Sequence, residues 1–451
     1  MFDAQVRTFP RLAALVFLAT VFSNVGRVCD AQFVRNGAVG GVKVDVNGVI
    51  SQPEAGDFRQ LQAAWQTGMQ PIPADLQKPA ELRFVSLRSL EAQAAEALNA
   101  GKPLPDAVRY LAGLQRIRYV FVYPEQKDIV LAGPAEGWKV NSLGSVVGAS
   151  SGRPVIQLDD LLVALRVAES SNASGISCSI DPTPEGLQRV QQLGPPQTGM
   201  TPQMASRRLE QAAGNQTITV TGVPATSHFA RVIVAADFRM KRLAMDFERA
   251  PVDGMPSFLD MVASRRTVTN NMMPRWWLAA NYEPIRRDDG GLAWELRGQG
   301  VKCMNEEQFL SGGSIQRTGK SDPVAQQWAD TFTAKFEELA REDSTFGELR
   351  NVMDLAVVAA LAAKERLFEK SGLEIPRLRN DVPIEEFHAP RAVPSQASFV
   401  RAGRGWVISV SGGVQVYPWQ VAERTEVAKD LAVARPARGD AASGWYWQAG
   451  R

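Results

Sequence analysis

The sequence predicts an α+β fold in which mixed or antiparallel sheets with hairpins are combined with a C-terminal αα-hairpin that is followed by a small β segment. Apolar residues alternate on both sides of Asn47-Gly48 and again around the Arg286–Gly291 turn, as they do in β-hairpins. Large apolar residues recur at helical spacing from Val324 to Leu339. Helical segments and hairpins therefore follow one another along the chain, which points to α+β.

The composition is that of a globular protein long enough for two or three domains. The chain has 451 residues, of which 45% are hydrophobic and 22% are charged. Its 50 basic and 48 acidic residues leave a net charge of +2, which creates no general field that would collect nucleic acid or anionic lipid. We therefore expect no nucleic-acid partner, and any charge-based binding must come from a local cluster.

Residues 1–31 have the pattern of a signal peptide. Arg7 precedes the apolar run Leu12–Phe22, which has the length of a signal h-region and is too short to span a bilayer. Small residues at and before Ala31 suit cleavage at that position. We expect an exported protein, periplasmic or extracellular, whose mature chain begins near Gln32.

Neither a lipid anchor nor a membrane span is expected after the leader is removed. A lipoprotein signal would need small residues before Cys29, where the chain has Arg27 and Val28. No later window of the sequence contains 18 unbroken apolar residues. The mature chain is expected to be soluble, with no integral membrane segment.

An N-terminal α+β region is predicted over residues 32–136. Its first element is the hairpin within Gly40–Ile50, where the alternation breaks at Asn47-Gly48. A short helical pattern begins at Asp106, and the apolar runs YVFVYP and DIVLAG then predict two strands joined by EQK.

The next region, residues 137–225, is predicted to be αβ. Asp159 and Asp160 fall in the first turn of the helix LDDLLVALR, where carboxylates complement the helix dipole; a catalytic acid pair is the alternative. Thr183 and Pro184 begin a second helix as N-cap and first helical residue. A Pro-, Gly- and Gln-rich loop is expected near 193–215.

Residues 323–372 are predicted to form a helical hairpin. Large apolar side chains recur every three or four residues, at Val324, Trp328, Phe332, Phe336 and Leu339. This spacing indicates core aromatics rather than a cofactor site. Thr345 and Glu348 form a capping-box pattern at the start of the second helix, which should end near Gly372.

The C-terminal part is predicted to contain a linker, a hairpin and a tail. Prolines mark an extended linker within the region 373–430. The alternating run Trp406–Trp419 predicts a β-hairpin that turns at Gly412-Gly413. Residues 431–451 lose periodicity and are expected to form a disordered tail.

The first candidate site follows the apolar run Val232–Ala236, which predicts a buried strand, with Asp237 as the N-cap of a following helix. Arg239, Lys241 and Arg242 would then lie in a first helical turn, where cations oppose the dipole. A bound phosphate, carboxylate or acidic glycan would offset this, as would internal carboxylates; a continued strand with solvated cations is the third alternative. We expect that protein carboxylates, rather than a ligand, pair with these three cations, because even exposed ion pairs stabilise a protein by about 0.2–1 kcal/mol.

The second candidate site lies in a β-rich core predicted over residues 226–310. Its Trp hairpin, Pro274–Met304, turns at the Arg-Arg-Asp-Asp-Gly-Gly segment. Trp276 and Trp277 are adjacent in a strand and must face opposite sides. One can enter the core, and the other can form a platform for sugar rings or peptide; packing under a neighbouring element is the alternative. The polar residues expected beside such a platform are Asn281, Glu283 and Arg297.

Cys178 and Cys303 are the candidates for a disulfide in an exported protein, and two buried free thiols are the alternative. His228 and His388 have no metal-ligand spacing, so no metal site is expected. The Gly/Ser-rich loops have no accompanying histidine nearby, and no Walker loop or dinucleotide fingerprint is present in the sequence. No cofactor is therefore expected.

Five parts of the chain carry a family resemblance. They are GWKVNSLGSVVGASSGRPVIQLDDLLVALR, CSIDPTPEGLQ, AADFRMKRLAM, RWWLAANYEPI with LRGQGVKCM, and FEELAREDSTFGELRNVMDLAVVAAL. Together they cover most of Gly137–Leu361 and resemble a bacterial exported family catalogued as domain of unknown function 1598. The resemblance implies export and no assigned activity, cofactor or catalytic residue, so no site residue is taken from it.

These observations predict an exported, soluble, non-catalytic binding or structural component of the cell envelope. Its partner would be an envelope glycan, a peptide or another envelope protein. The alternative is a carboxylate-dependent hydrolase acting on an envelope glycan or peptide, which would place two carboxylates about 5 to 10 Å apart across an open cleft. The candidates for that pair are Asp159, Asp160, Asp237, Glu248, Glu283 and Glu295.

Overall fold

Most of the chain folds around two seven-stranded sheets and a group of packed helices. The computed structural model describes residues 38–39, 41–194, 199–263, 272–311, 314–317, 319, 321–398, 401–402, 405–406, 411–431, 435 and 444–448. The predicted signal peptide lies outside these residues. The α+β prediction, with mixed and antiparallel sheets, is confirmed.

The strands are β1 (Ala38–Val39), β2 (Val42–Val44), β3 (Ile50–Ser51), β4 (Ala80–Ser86), β5 (Tyr119–Tyr123), β6 (Asp128–Ala135), β7 (Trp138–Val140), β8 (Val146–Gly148), β9 (Ile176–Pro182), β10 (Asn215–Thr221), β11 (Met272–Asn281), β12 (Ile285–Arg287), β13 (Ala293–Glu295), β14 (Gly300–Ser311), β15 (Ser314–Arg317), β16 (Ala392–Pro394), β17 (Arg401–Ala402), β18 (Gly405–Trp406), β19 (Ser411–Val416), β20 (Thr425–Val427) and β21 (Tyr446–Gln448).

The α-helices are α1 (Ala55–Gly68), α2 (Leu87–Asn99), α3 (Asp106–Arg109), α4 (Leu158–Val167), α5 (Ser171–Ser174), α6 (Pro184–Gln192), α7 (Pro202–Ala213), α8 (His228–Ala244), α9 (Phe258–Ala263), α10 (Pro323–Glu342), α11 (Ser344–Lys364), α12 (Leu367–Ser371) and α13 (Pro418–Glu423). A 3₁₀ turn, Leu111–Gly113, and a π-helical turn, Arg377–Asp381, complete the helical elements of the described chain.

The first sheet has the strand order β15-β14-β11-β19-β9-β10-β16. Strand β19 comes from the C-terminal part of the chain, yet it lies in the middle of the sheet, parallel to β11 and antiparallel to β9. Helix α8 packs on β9 and β19, and α10 packs on β14. One face of the sheet is thus buried under helices, whereas the opposite face carries partly exposed side chains.

The second sheet has the order β20-β12-β13-β5-β6-β4-β21. Helix α2 packs against β6. A small separate core forms on this sheet from Phe84, Phe121, Tyr123, Val130, Ala132, Ala293, Ala428 and Leu431. Trp447 stacks on Phe84 with ring centroids 5.3 Å apart, so residues near the C terminus help to cover this core.

Helix α11 is enclosed by other helices. Its residues from Ser344 to Ala362 are all buried, because α4, α8, α10 and α13 pack around it. The predicted helical hairpin of α10 and α11 and its core aromatics are confirmed, but α11 ends at Lys364 and the separate short helix α12 leads to Gly372. The capping box of Thr345 and Glu348 is wrong, because Asp343 caps α11 by accepting a hydrogen bond from Thr345 N at 3.0 Å. The main core is continuous from Val42 to Ala422.

Two predicted hairpins are present, although one has a different role from that expected. Strands β2 and β3 pair antiparallel around Asn47-Gly48, where Gly48 has a φ of 81°. Strands β12 and β13 pair around the Arg286–Gly291 turn but belong to the second sheet. The tryptophan strand β11 instead pairs with β14 in the first sheet. The β12–β13 hairpin is therefore inserted in sequence between two paired strands of the first sheet.

The predicted hairpin turn at Gly412-Gly413 is wrong. Both glycines lie inside β19, where a Cβ on Gly412 would stand 2.2 Å from Trp276 O and one on Gly413 would stand 2.3 Å from Cys178 O. The glycines therefore serve the close approach of neighbouring strands rather than a turn.

The loop expected near 193–215 contains helix α7. Thr201 caps it by accepting a hydrogen bond from Met204 N at 3.2 Å, and Pro202 takes the first helical position. This repeats the Thr183-Pro184 start of α6, which was predicted and is confirmed. The Pro- and Gly-rich composition predicted a loop, although the segment begins a helix with a threonine cap followed by proline, as α6 does.

Part of the expected disordered tail is ordered. Leu431 is buried in the small core of the second sheet, and β21 pairs with β4. Tyr446 Oη donates to Asp75 Oδ2 at 2.7 Å, which holds the strand at the sheet edge. Strand pairing and aromatic burial here outweigh the lack of sequence periodicity.

Candidate ligand-binding site

The first candidate segment is one continuous helix. Ser227 begins α8 by accepting a hydrogen bond from Ala230 N at 3.1 Å. The apolar run Val232–Ala236 lies inside α8 and is buried, because the first sheet and α11 both cover this helix. A helix that is covered on several sides is apolar around its circumference. The prediction of a strand here, with Asp237 as a helix N-cap, is therefore wrong.

The cations that follow lie near the C-terminal end of α8, not at a helix start. Lys241 and Arg242 are in the last turn, where positive charge complements the helix dipole. Arg239 Nε donates to Asp343 Oδ2 at 2.9 Å, and both Arg239 and Arg242 pair with Glu248. The expectation that protein carboxylates hold these cations is confirmed, and no bound anion is needed to explain them.

Asp237 and Lys241 form an ion pair beneath the middle of the first sheet. Lys241 Nζ donates to Asp237 Oδ2 at 2.9 Å, whereas Asp237 Oδ1 has no hydrogen-bond partner among the described residues. Burial raises the pKa of Asp237, against the opposing effect of Lys241. A Cβ on Gly412 would lie 3.1 Å from Asp237 Oδ1, so the pair sits directly under β19.

The adjacent tryptophans of β11 lie on opposite sides of the sheet, as predicted. Trp276 is fully buried, and its Nε1 donates to Ala325 O at 3.1 Å. Its ring centroid lies 4.9 Å from that of Phe258 and 4.8 Å from that of Trp328. Trp277 projects from the other face and is partly exposed.

Trp277 lines a cleft of about 520 Å³ on the open face of the first sheet, called the Trp277 cleft below. The cleft crosses four neighbouring strands, β14, β11, β19 and β9. Its side chains include Ser179, Asp181, Arg275, Trp277, Glu306 and Gln415. A partly exposed indole is therefore surrounded by hydroxyl, amide and charged groups.

The strand register explains how Trp277 remains accessible. Trp277 lies opposite Gly413 of β19 on one side and Met304 of β14 on the other. Gly413 in turn lies opposite Ser179 of β9. Because Gly413 has no side chain, no side chain of β19 stands between the indole and the Ser179 side chain in this row.

A neighbouring row across the same strands supplies charge. Arg275 lies opposite Glu306, and its guanidinium carbon is 5.9 Å from the centroid of the Trp277 ring. Asp181 is on β9, two residues from Ser179 and on the same face. A flat apolar ring with converging hydrogen-bonding groups suits saccharide or peptide ligands.

The polar residues predicted beside Trp277 lie elsewhere. Asn281 is four residues along β11, about 13 Å away at the usual rise per residue. Arg297 Nη1 pairs with Glu283 Oε2 at 3.1 Å, and its Nη2 pairs with Glu426 at 2.5 Å. These residues connect β20 to the segments that flank β12 and β13, so the structure brings Glu283 and Arg297 together without Trp277.

Sequence reasoning missed most of the residues that line the Trp277 cleft. Ser177, Ser179 and Asp181 alternate with Cys178 and Ile180 on β9, and the two apolar residues are buried. That alternation was a usable signal, because it places small polar groups on one sheet face. Glu306 and Gln415 come from distant strands, and only the assembled sheet brings them to the same face.

The carboxylates needed by the hydrolase alternative are engaged with other groups. Asp159 accepts a hydrogen bond from Glu385 N at 3.0 Å, and Glu295 accepts from Arg286 Nη1 at 2.7 Å. The partners of the remaining candidates are His228 for Asp160, Lys241 for Asp237, Arg239 and Arg242 for Glu248, and Arg297 for Glu283. These six carboxylates do not belong to the described lining of the Trp277 cleft.

The cleft has two carboxylates of its own, on β9 and β14. Asp181 and Glu306 are separated by β19 and β11, which makes three strand spacings, or about 14 Å between backbones. Paired-carboxylate hydrolysis needs a separation of about 5 to 10 Å between the two carboxyl groups. Because the two carboxylates lie at opposite sides of the cleft, they are better placed to contact a ligand at two separate positions than to act together at one reaction centre.

A buried His–Asp pair, which the sequence did not reveal, joins α4 to α8. Asp160 Oδ2 lies 2.9 Å from His228 Nδ1, and Gln157 Nε2 lies 3.1 Å from His228 Nε2. Burial by itself would lower the pKa of His228, but the charge and hydrogen bond of Asp160, together with Glu348, outweigh it and raise the pKa to about 9. The side-chain amide of Gln157 thus lies at the second ring nitrogen of His228.

The Gly/Ser-rich loop is filled by a carboxylate of the protein. Glu136 accepts hydrogen bonds from Ser150 N at 2.9 Å and from Ser151 N at 3.0 Å, and Gln115 Nε2 donates to it at 2.6 Å. Burial opposes its ionisation, but these bonds and that from the Ser151 hydroxyl lower the pKa of Glu136. The loop amides thus already hold an anion.

Cys178 and Cys303 are both buried free thiols, which was the alternative to the possible disulfide. Cys178 lies opposite Val414, Val414 opposite Leu278, and Leu278 opposite Cys303. The cysteines are thus three strand spacings apart, about 14 Å. A disulfide needs Cα atoms within about 7 Å, so two intervening strands keep the thiols apart.

The described residues contain no group of three or more His, Cys, Asp or Glu side chains that could hold a metal ion. The described helices include none that is long and apolar enough to cross a bilayer.

Comparison with known proteins gives one match, and it covers part of the cleft. No curated protein and no solved structure matches the chain. The matched segment begins within β9 and contains α6, α7, β10 and α8, and therefore Ser179, Asp181 and the buried Asp237–Lys241 pair. Residues 178–258 match the model of a family described as a protein of unknown function, DUF1598, which is the family that the sequence resemblance indicated.

Proposed function

We propose that the protein is an exported, non-catalytic binding component of the cell envelope that holds a glycan in the Trp277 cleft. The observation that carries the proposal is the partly exposed indole of Trp277, which lines the cleft beside Gly413, a residue without a side chain. An indole face supplies apolar contact to the C–H face of a sugar ring at little conformational cost.

The polar lining supports a saccharide in the same cleft. Ser179 offers a hydroxyl, and Asp181 and Glu306 offer carboxylates, which are the groups that pair with sugar hydroxyls. Gln415 adds an amide. Ligand sites of this kind combine an apolar contact with a few placed polar groups.

Export is the second part of the proposal, and it rests on the N-terminal sequence alone. The run Leu12–Phe22 behind Arg7 has signal-peptide character. N-terminal sequencing of the abundant cellular form should find a start near Gln32 in an extracytoplasmic fraction. Recovery of the abundant form with Met1 or Phe2 at its N terminus would refute export.

A co-sedimentation assay tests binding. The mature protein is mixed with insoluble cell-wall glycan, and the bound fraction is compared for wild type, Trp277→Phe and Trp277→Ala. We expect Trp277→Ala to lose most binding and Trp277→Phe to retain part of it, because phenylalanine preserves a flat ring. Val427→Ala, at an exposed site on the edge of the second sheet, is the control and should bind normally.

Two outcomes would contradict the proposal. Equal binding by wild type and Trp277→Ala, with unchanged thermal unfolding, would exclude the cleft as the site. Release of new reducing ends from the glycan by the wild-type protein would show a hydrolase instead of a binding protein.

A further inference from the structure

We propose that the ligand is an extended saccharide chain that crosses the strands of the first sheet, from Trp277 on β11 to a second subsite at Thr219 on β10. This inference rests on the proposed function, and it adds the direction of the ligand, its minimum length and a residue outside the cleft. It follows from the register of five neighbouring strands.

The Trp277 cleft is elongated across the strands. It begins at β14 with Glu306 and ends at β9 with Ser179 and Asp181. Three strand spacings separate these ends, or about 14 Å. A sugar ring stacked on Trp277 would occupy the β11 side and leave the β9 side free for the next units of a chain.

The same face of the sheet continues past the cleft onto β10. Thr219 lies opposite Ser179 and is exposed. The row therefore runs from Trp277 past Gly413, which has no side chain, to Ser179 and then to Thr219.

The row is flanked by further hydroxyl groups on the same face. Thr217 lies opposite Asp181, and Thr221 lies opposite Ser177, with the Thr221 and Ser177 hydroxyl oxygens 2.8 Å apart. Alternate residues of β10 thus present threonine side chains to solvent. Threonine suits this place because its β-branched side chain is stiff and its hydroxyl both donates and accepts.

The pairing of these strands favours a saccharide over an extended peptide. A peptide that binds a sheet by adding a strand needs an edge with unpaired backbone groups. Strand β9 lies between β19 and β10 and is therefore an interior strand, and β16 covers the outer edge of β10 over its first residues, Asn215–Thr217. A ligand on this face must bind through side chains, and hydroxyls with an indole match the surface of a sugar chain.

The test is calorimetric titration with size-fractionated glycan strands released from cell wall, from the shortest to the longest fraction. For the wild-type protein the affinity should increase with chain length until the chain reaches β10. Thr219→Val preserves side-chain shape but removes the hydroxyl. It should bind the shortest fraction normally and lose about threefold to tenfold in affinity for long fractions, the effect of one hydrogen bond.

Two further variants separate this inference from the proposed function. Trp277→Ala should weaken binding of every fraction. Thr425→Val removes a threonine hydroxyl from β20 of the second sheet and should change neither short-chain nor long-chain affinity.

The outcomes are distinct. Binding that depends on Trp277 but not on chain length or Thr219 overturns the inference and leaves the proposed function standing. An equal loss for short and long fractions in Thr219→Val also overturns the inference. Failure of every fraction to bind wild type, or capture of an extended peptide of equal length in place of the glycan, overturns both.

Discussion

Lys241 Nζ lies 2.9 Å from Asp237 Oδ2, one turn away on the same helix, and the Asp237 side chain is fully buried. The two residues that looked like parts of a ligand site are thus an internal ion pair beneath β19. A buried carboxylate that loses its counter-charge is costly, which makes this pair a sharp test of the structure.

Replacing Lys241 with methionine should lower the free energy of unfolding by about 3–5 kcal/mol, because Asp237 would be left charged and unpaired in the core. Chemical denaturation at neutral pH measures the loss. Since burial already raises the pKa of Asp237, the loss should shrink in acid, where the carboxyl becomes protonated.

A matched control comes from α10, where Lys335 pairs with Glu338 at 2.9 Å and the two side chains are 31% and 44% exposed. Lys335→Met should change the free energy of unfolding by less than about 1 kcal/mol, as for other surface pairs. Losses of similar size in the two variants would argue against a buried, unrelieved charge at Asp237.

The stability that the His228–Asp160 pair contributes should decrease in alkaline solution. The pKa of His228 is raised from 6.5 in the unfolded chain to about 9 in the fold, so the folded protein holds this proton more tightly. The contribution is therefore complete below pH 6.5 and is lost as the pH rises through about 9. Unfolding free energies measured across this window should fall with increasing pH.

Asp160→Asn provides the control for this pH dependence. It removes the charge that raises the pKa of His228, so the decline across the same window should flatten. A wild-type protein whose stability does not change over this range would contradict a charged His228.

Cys178 and Cys303 should resist a thiol reagent in the folded protein and react after unfolding. Burial raises the pKa of both thiols well above the ordinary value, and the thiolate is the reactive form. Each single Cys→Ser variant should then titrate with one reactive thiol fewer. Recovery of a cross-linked peptide containing both cysteines, under non-reducing digestion, would contradict the three-strand separation.

Gly412→Ala should destabilise the protein by roughly 1–3 kcal/mol, the usual cost of forcing atoms into a packed region. The added methyl group would stand 2.2 Å from Trp276 O, so neighbouring strands would have to separate. Gly56→Ala is the contrast, because a Cβ there meets nothing within 4 Å and the residue lies in α1. Thermal unfolding should place Gly56→Ala at or above wild type; a Gly412→Ala variant of equal stability would argue against the close strand approach.

Elements that depend on neighbouring residues could be predicted from the sequence. The turn at Gly48 needs a positive φ, and Thr183 with Pro184 supplies both a cap and a favoured first helical residue. The core stripe of Trp328 and Phe332 follows from helical spacing. In each case the determining contacts lie within a few residues along the chain.

Elements that depend on the assembled core could not be predicted in the same way. The short apolar run Val232–Ala236 is compatible with a buried strand and with a buried helix. It forms a helix because it is packed between the first sheet and α11. The glycines of β19 resemble a turn until Trp276 O and Cys178 O are placed beside them.

The candidate site shows the same division. Alternation was enough to predict that Trp276 and Trp277 face opposite sides. The companions of Trp277 could not be chosen, because Ser179, Glu306 and Gln415 come from three other strands. Their register across the sheet is a long-range property. The sequence indicates only residues close in the chain, such as Glu283 and Arg297, which lie away from Trp277 in the fold.

The central position of β19 also sets the order in which this protein can complete its fold. During synthesis, which proceeds from the N terminus, β9 and β11 are completed long before Ser411–Val416 is available to pair with them. Until then both strands expose unpaired backbone edges, which invite association with other chains. Completion of the first sheet must therefore wait until residues 411–416 have been synthesised, and a truncation before residue 411 should leave an aggregation-prone intermediate rather than a smaller folded unit.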